Sequence, residues 1–246
     1  MVVADLQADP GNETVGLVEQ AGGEAIFVPI DVTSWEDNDA MAQAAVDRFG
    51  GINCLVTAAG ISHADYDSGD VEADLKALGG RLEYLERPGW DLVETSIDEW
   101  NKVLAVNTTG TLMGMQACAQ RMLDAGTKGS FVTIASIAAK NPDAGPLPYT
   151  VSKAGVWMLT KKAARMLAPA GIRVNSIGPG FIETNMTAVI DLLPREENEP
   201  DFWAQLPMGR RGVPLEIANT ALFLLSDESS YFTGEILHPD GGYFTE

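Results

Sequence analysis

The chain is predicted to fold as one α/β domain built on a parallel, doubly wound sheet, and three observations carry that prediction. Short apolar runs rich in Val and Ile alternate with segments of helical period, a pattern that calls for helices on both faces of the sheet. With 246 residues, 46% of them apolar, the chain can bury the core of one large domain. No internal repeat or linker-like stretch divides it, so residues 1–246 are read as a single domain.

The elements follow in order. VVAD (2–5) reads as a strand, a helix lies near 12–21, and AIFVPID (25–31) is the next strand. A helix over 35–49 leads to INCLVTAAG (52–60), a strand closed by a turn of small residues. A long helical segment spans 97–124, and SFVTIAS (130–136) is a strand. The helix over 149–167 feeds GIRVNSIGPG (171–180), a strand ending in a Pro-Gly loop. EIANTALFLLS (216–226) is the last helix and EILHPDGG (235–242) a short final strand. Two stretches, 61–94 and 185–208, break the rhythm and read as long loops. Both follow strand carboxyl ends, the edge where open α/β sheets bind ligands.

Charge narrows the function. Sixteen basic residues face 35 acidic ones, for a net charge of −19, and so acidic a surface repels nucleic acid and anionic lipid. No leader-like segment or bilayer-length apolar run is present, so a cytoplasmic protein is expected. Cys54 and Cys118 read as reduced core thiols. His63 and His238 lack neighbours with ligand spacing, and DYDSGDVE (65–72) has Lys76 where a calcium loop needs Glu, so no metal is expected. The acidic stretch reads as a solvated loop.

The chemistry concentrates at Ser136, Tyr149 and Lys153. In YTVSK the i, i+4 spacing sets Lys153 one turn from Tyr149 on one helix face. A neighbouring ammonium and a helix N-terminus both favour a phenolate, so the Tyr149 pKa is expected to fall. Ser136, at a strand end, can reach the same point. Asn107, inside a helical run, competes for backbone hydrogen bonds and marks a local kink or a held water.

With these residues in place the chain resembles the short-chain dehydrogenase/reductase family. The family's catalytic Asn, Ser, Tyr and Lys fall on Asn107, Ser136, Tyr149 and Lys153. Its adenine contact falls on Asp31 and Val32, and its Asn-Ala-Gly turn on Ala58, Ala59 and Gly60, with Ala58 in place of Asn. Pro179 and Gly180 match the loop flanking the nicotinamide, and Ile182 and Thr184 the carboxamide contacts. The resemblance implies a Rossmann-type fold and hydride transfer between NAD and a secondary alcohol or ketone. Tyr149 would be the general acid/base, Ser136 would hold the carbonyl oxygen, Lys153 would grip the nicotinamide ribose, and Asn107 would position a water. A homotetramer or homodimer is a further family expectation, with a small alcohol or ketone as the remaining partner.

One family signature has no match. TGxxxGxG, the glycine loop that cradles the pyrophosphate, does not precede Asp5, and TGTLMGMQ (109–116) mimics it only inside the Asn107 helix. The expectation is therefore that the first strand, glycine loop and helix are absent from this chain. Asp5 would then end the family's second strand and bind the adenine ribose. A catalytically silent shell, kept as a binding or assembly protein, is the alternative, which the intact catalytic set disfavours.

Overall fold

The computed structural model describes residues 1–84, 86–192 and 202–244. Strands β1 (Val2–Asp5) and β2 (Ile26–Pro29) pair in parallel, with Val2 opposite Ile26. Helix α1 (Ala8–Gln20) connects them, so the chain opens with a complete βαβ unit. Strands β3 (Cys54–Thr57), β4 (Gly129–Ile134), β5 (Ile172–Ile177) and β6 (Ile236–Leu237) form a second parallel sheet in that spatial order. Among the described residues β1 and β3 do not pair. A small pocket of about 70 Å³, lined by Ala4, Ile30, Val32, Val56 and Ala58, lies between them.

The central strands explain the layering. Phe131, Ile172 and Val174 pack with Met115, Cys118, Met122 and Ala164, whereas the neighbouring Val132 and Ile177 pack with Leu224. Adjacent strand residues thus face opposite sides, each covered by helix. The first side carries α2 (Trp35–Phe49), α6 (Thr111–Ala125) and α7 (Leu147–Leu167), and the second carries α9 (Pro214–Leu225). Local signals set the helix ends. Ser34 caps α2 by accepting the Asp37 N–H at 3.2 Å, and Gly50 closes it in the left-handed region.

Three expectations are corrected. Residues 61–94 are not a plain loop, for they contain α3 (Val71–Glu83) and α4 (Trp90–Glu94). Val71, Leu75, Leu78 and Leu82 keep a helical period through α3 that the surrounding carboxylates masked. The helix expected over 97–124 is broken. Helix α5 (Ile97–Leu104) passes into a π-helical turn, Ala105–Gly110, before α6 begins. Cys118 is buried, but Cys54 is exposed, because it lies on β3, which pairs only with β4 among the described residues. Part of the stretch 185–208, residues 193–201, lies outside the described residues; the rest includes helix α8 (Asn185–Ala188).

Candidate active site

The site is a cleft of about 1850 Å³ at the carboxyl ends of β3, β4 and β5. Each strand delivers its residues through the turn that follows it. The turn after β3 brings Ala58 and Gly60, and the one after β4 brings Ser136. Pro179, Gly180, Ile182 and Thr184 arrive from the segment after β5, while the first turns of α7 supply Tyr149 and Lys153. All nine line the one cleft.

Ser136 is buried and holds its turn by accepting the Ala138 N–H at 3.1 Å. Tyr149 sits in the first turn of α7, where Pro148 needs no amide partner. Lys153 is 5% exposed; its Nζ donates to the Ile134 carbonyl at 2.9 Å and lies 5.6 Å from the Tyr149 ring centroid. Burial lowers the Lys153 pKa to about 8. The Tyr149 phenol moves the other way from the sequence expectation. Burial raises its pKa, the Ser136 hydroxyl opposes that rise, and the nearby Tyr66 adds to it. Desolvation of the phenolate outweighs the Ser136 hydrogen bond, so the resting Tyr149 is a protonated donor.

Asn107 stands behind the cleft, fully buried in the π-helical turn. Its Oδ1 accepts the Ile61 N–H at 2.8 Å, while its Nδ2 donates to the Ile61 carbonyl and to Ser152 Oγ, each at 2.9 Å. The widened turn turns the amide towards the strand end. Gly60 lies against this amide, since a Cβ there would sit 3.2 Å from Lys153 Nζ and 3.3 Å from Asn107 Oδ1.

Three expected site residues stand apart. Asp5 and Asp31 do not line the cleft, and Val32 lines only the smaller pocket, beside Ala58. The Asp5 carboxylate accepts the Gln7 N–H at 2.8 Å, and that of Asp31 accepts the Thr33 N–H and hydroxyl. Sequence reading also missed residues. His63, discounted as isolated, is buried, with its Nε2 2.8 Å from the equally buried Asp74 carboxylate. Its ring meets Tyr66 edge-on at 5.8 Å, and Tyr66 lines the cleft. Trp203, which does not line the cleft, packs against Phe181 and donates to Asp191 at 2.7 Å; the Phe202 side chain lies outside the described residues.

Among the described residues no group of three or more His, Cys, Asp or Glu is placed to hold a metal, and no helix is long and apolar enough to cross a membrane. The cleft does suit a flat ligand laid along backbone. A side chain at Gly60 would press on Lys153 Nζ and Asn107 Oδ1, so glycine keeps this turn close to both. Gly60, Tyr149, Lys153, Pro179, Gly180, Ile182 and Thr184 are the lining residues that would hold the nicotinamide half of a dinucleotide.

Comparison with known proteins agrees with this geometry. A family model described as short chain dehydrogenase matches residues 1–78, and one described as enoyl-(acyl carrier protein) reductase matches 85–244. A 2,5-dichloro-2,5-cyclohexadiene-1,4-diol dehydrogenase from Sphingobium indicum is 37% identical, over 99% of this chain and 85% of its own length. Glucose 1-dehydrogenase 2 of Bacillus subtilis is 33% identical, over 98% of this chain and 84% of its own. The crystal structure of a short-chain type dehydrogenase/reductase from Mycobacterium marinum superposes with a TM-score of 0.80 at 29% identity, covering 100% of this chain and 85% of that one. Because the first match begins at residue 1, on a complete βαβ unit, an absent first βα unit is not supported. The chain belongs to the short-chain dehydrogenase/reductase family, oxidoreductases that use nicotinamide cofactors.

Proposed function

We propose that this protein is an NAD-dependent oxidoreductase acting between a secondary alcohol and the corresponding ketone. The observation that carries the reading is the convergence of Ser136, Tyr149 and Lys153 on one cleft beside Gly60 and Gly180. When bound there, the nicotinamide supplies or accepts the hydride. The chain's own residues handle the proton. The buried, protonated Tyr149 gives its proton to a carbonyl oxygen in reduction and takes one from a carbinol in oxidation. Ser136 holds the same oxygen. Lys153 carries its charge below about pH 8 and stabilises the phenolate that forms as the proton leaves. Asn107 fixes the turn after β3 through Ile61, and a water held beside it would extend the proton path.

Preference for NAD over NADP rests on charge. Asp5 ends β1 with an exposed carboxylate that would repel a 2′-phosphate, and no Lys or Arg occurs before Arg48. Asp31, Val32 and Ala58 are assigned to the adenosine side on family resemblance. Exposed Leu112, Val151, Met158 and Met166 on α6 and α7 suit a homotetramer joined through those helices. A soluble cytoplasmic enzyme acting on a small alcohol or ketone completes the reading.

Tyr149→Phe tests it. Turnover should fall to a few per cent or less while NADH affinity, read by fluorescence titration, stays within about twofold, because only the proton-carrying hydroxyl is lost. Substantial residual turnover overturns the role of Tyr149, and a clear kinetic preference for NADP overturns that of Asp5.

A further inference from the structure

Tyr66 has no part in the proton transfer above, yet it is the side chain outside the catalytic set whose electrostatics Tyr149 feels. It lines the same cleft. Its position is built. Asp74 holds His63 at 2.8 Å, both buried, and the His63 ring braces Tyr66 at an interplanar angle of 84°. On the other side Ser68 sits against the phenol oxygen and in turn accepts from Asn185 Nδ2 at 3.1 Å. A side chain fixed by two neighbours, themselves held by Asp74 of α3 and Asn185 of α8, is organised for contact with a ligand.

We propose that Tyr66 donates a hydrogen bond to a second oxygen of the substrate while Tyr149 and Ser136 hold the reacting one, so that the preferred substrates are uncharged diols or hydroxy ketones; this rests on the dehydrogenase reading above. The chemistry of each partner agrees. Burial, reinforced by the Asp74 and Asp67 carboxylates against the opposing influence of Ser68, keeps the phenol protonated, hence a donor. The absence of negative charge follows from the walls. Nine carboxylates and three lysines line the cleft among the described residues, which disfavours an anionic acid or phosphate ester. A neutral second hydroxyl meets no such penalty.

The test compares cyclohexanol with cyclohexane-1,2-diol and cyclohexane-1,4-diol as substrates for the wild-type enzyme and Tyr66→Phe. The wild type should favour at least one diol over cyclohexanol in kcat/KM by about five- to tenfold, the worth of one buried hydrogen bond. In Tyr66→Phe that preference should collapse through KM, the diol-to-cyclohexanol ratio of kcat/KM falling to about one. A role confined to packing would instead lower all three substrates together and would overturn the proposal, as would a wild type without diol preference or a variant that keeps it. Tyr149→Phe is run alongside. Retained turnover there overturns the catalytic reading, whereas an unchanged diol preference in Tyr66→Phe removes only the role of Tyr66.

Discussion

The side chain of Asn107 satisfies both backbone polar groups of Ile61, accepting from its N–H at 2.8 Å and donating to its carbonyl at 2.9 Å. One amide thus plays the part of a neighbouring strand at the point where β3 has ended. Asn107→Ala leaves that pair and the Ser152 hydroxyl short of partners in a buried place. Since each unsatisfied buried group costs about 1–3 kcal/mol, the variant should lose about 3–5 kcal/mol. A melting temperature within a degree or two of wild type would falsify this account of Asn107.

Lys153 predicts a pH dependence. Its pKa falls from 10.5 to about 8 in the fold, so between those values the unfolded chain binds the extra proton. Stability contributed by this group therefore rises as pH climbs from about 8 to 10.5, by about 3 kcal/mol in all. Denaturant unfolding of the cofactor-free protein, compared with Lys153→Met over this range, isolates the effect. The difference in stability between the two proteins should grow with pH; a constant difference means that Lys153 is not titrating as a desolvated ammonium.

Gly180 tests the loop after β5. A Cβ there would lie 2.6 Å from the Asp240 Cα, a backbone atom that cannot step aside as a side chain would. Gly180→Ala should cost about 1–3 kcal/mol by overpacking and displace the Pro179–Gly180 turn. Thermal melting reads the first effect and weakened NADH titration the second. Gly51→Ala, outside any helix and with nothing within 4 Å of its added methyl, is the neutral control.

Asp191 ties down the segment after β5. Its carboxylate accepts from Trp203 Nε1 at 2.7 Å and pairs with Arg211 at 2.9 Å, while that guanidinium lies 4.7 Å from the Trp203 ring centroid. Asp191→Ala should cost about 1–2 kcal/mol, the exposure of the carboxylate keeping the loss modest. Faster cleavage by a protease at this wall would accompany it; equal cleavage rates and equal melting temperatures would show that the contacts hold nothing in place.

The proposed catalytic set is legible in the sequence because its chemistry demands particular residue types at fixed local spacing. Tyr149 and Lys153 share a helix face by i, i+4 geometry alone, and Ser136 is marked by the strand it follows. Depth was not legible. The spacing predicts an ammonium that depresses the Tyr149 pKa, but how far both groups are withdrawn from water decides the sign, and burial wins. His63 and Asp74 escaped notice for a related reason. Eleven residues separate them, α3 folds one onto the other, and the acid-rich stretch that hides the period of α3 also makes Asp74 look like one more solvated carboxylate. Reading an absent opening unit from an unmatched glycine motif is a different matter, and the family match that starts at residue 1 gives it no support. The pairing of Val2 with Ile26 is a long-range fact that a local motif does not contain.

The hydrogen bond from Asn185 to Ser68, with α3 packed on α8, joins the segment after β3 to the segment after β5. Two insertions distant in the chain are therefore inherited as one wall. A segment grafted alone from a relative would arrive with half of each contact and none of its counterpart. Divergence of substrate range along this lineage should accordingly proceed by paired replacement, and a designed chimera should draw both segments from a single donor.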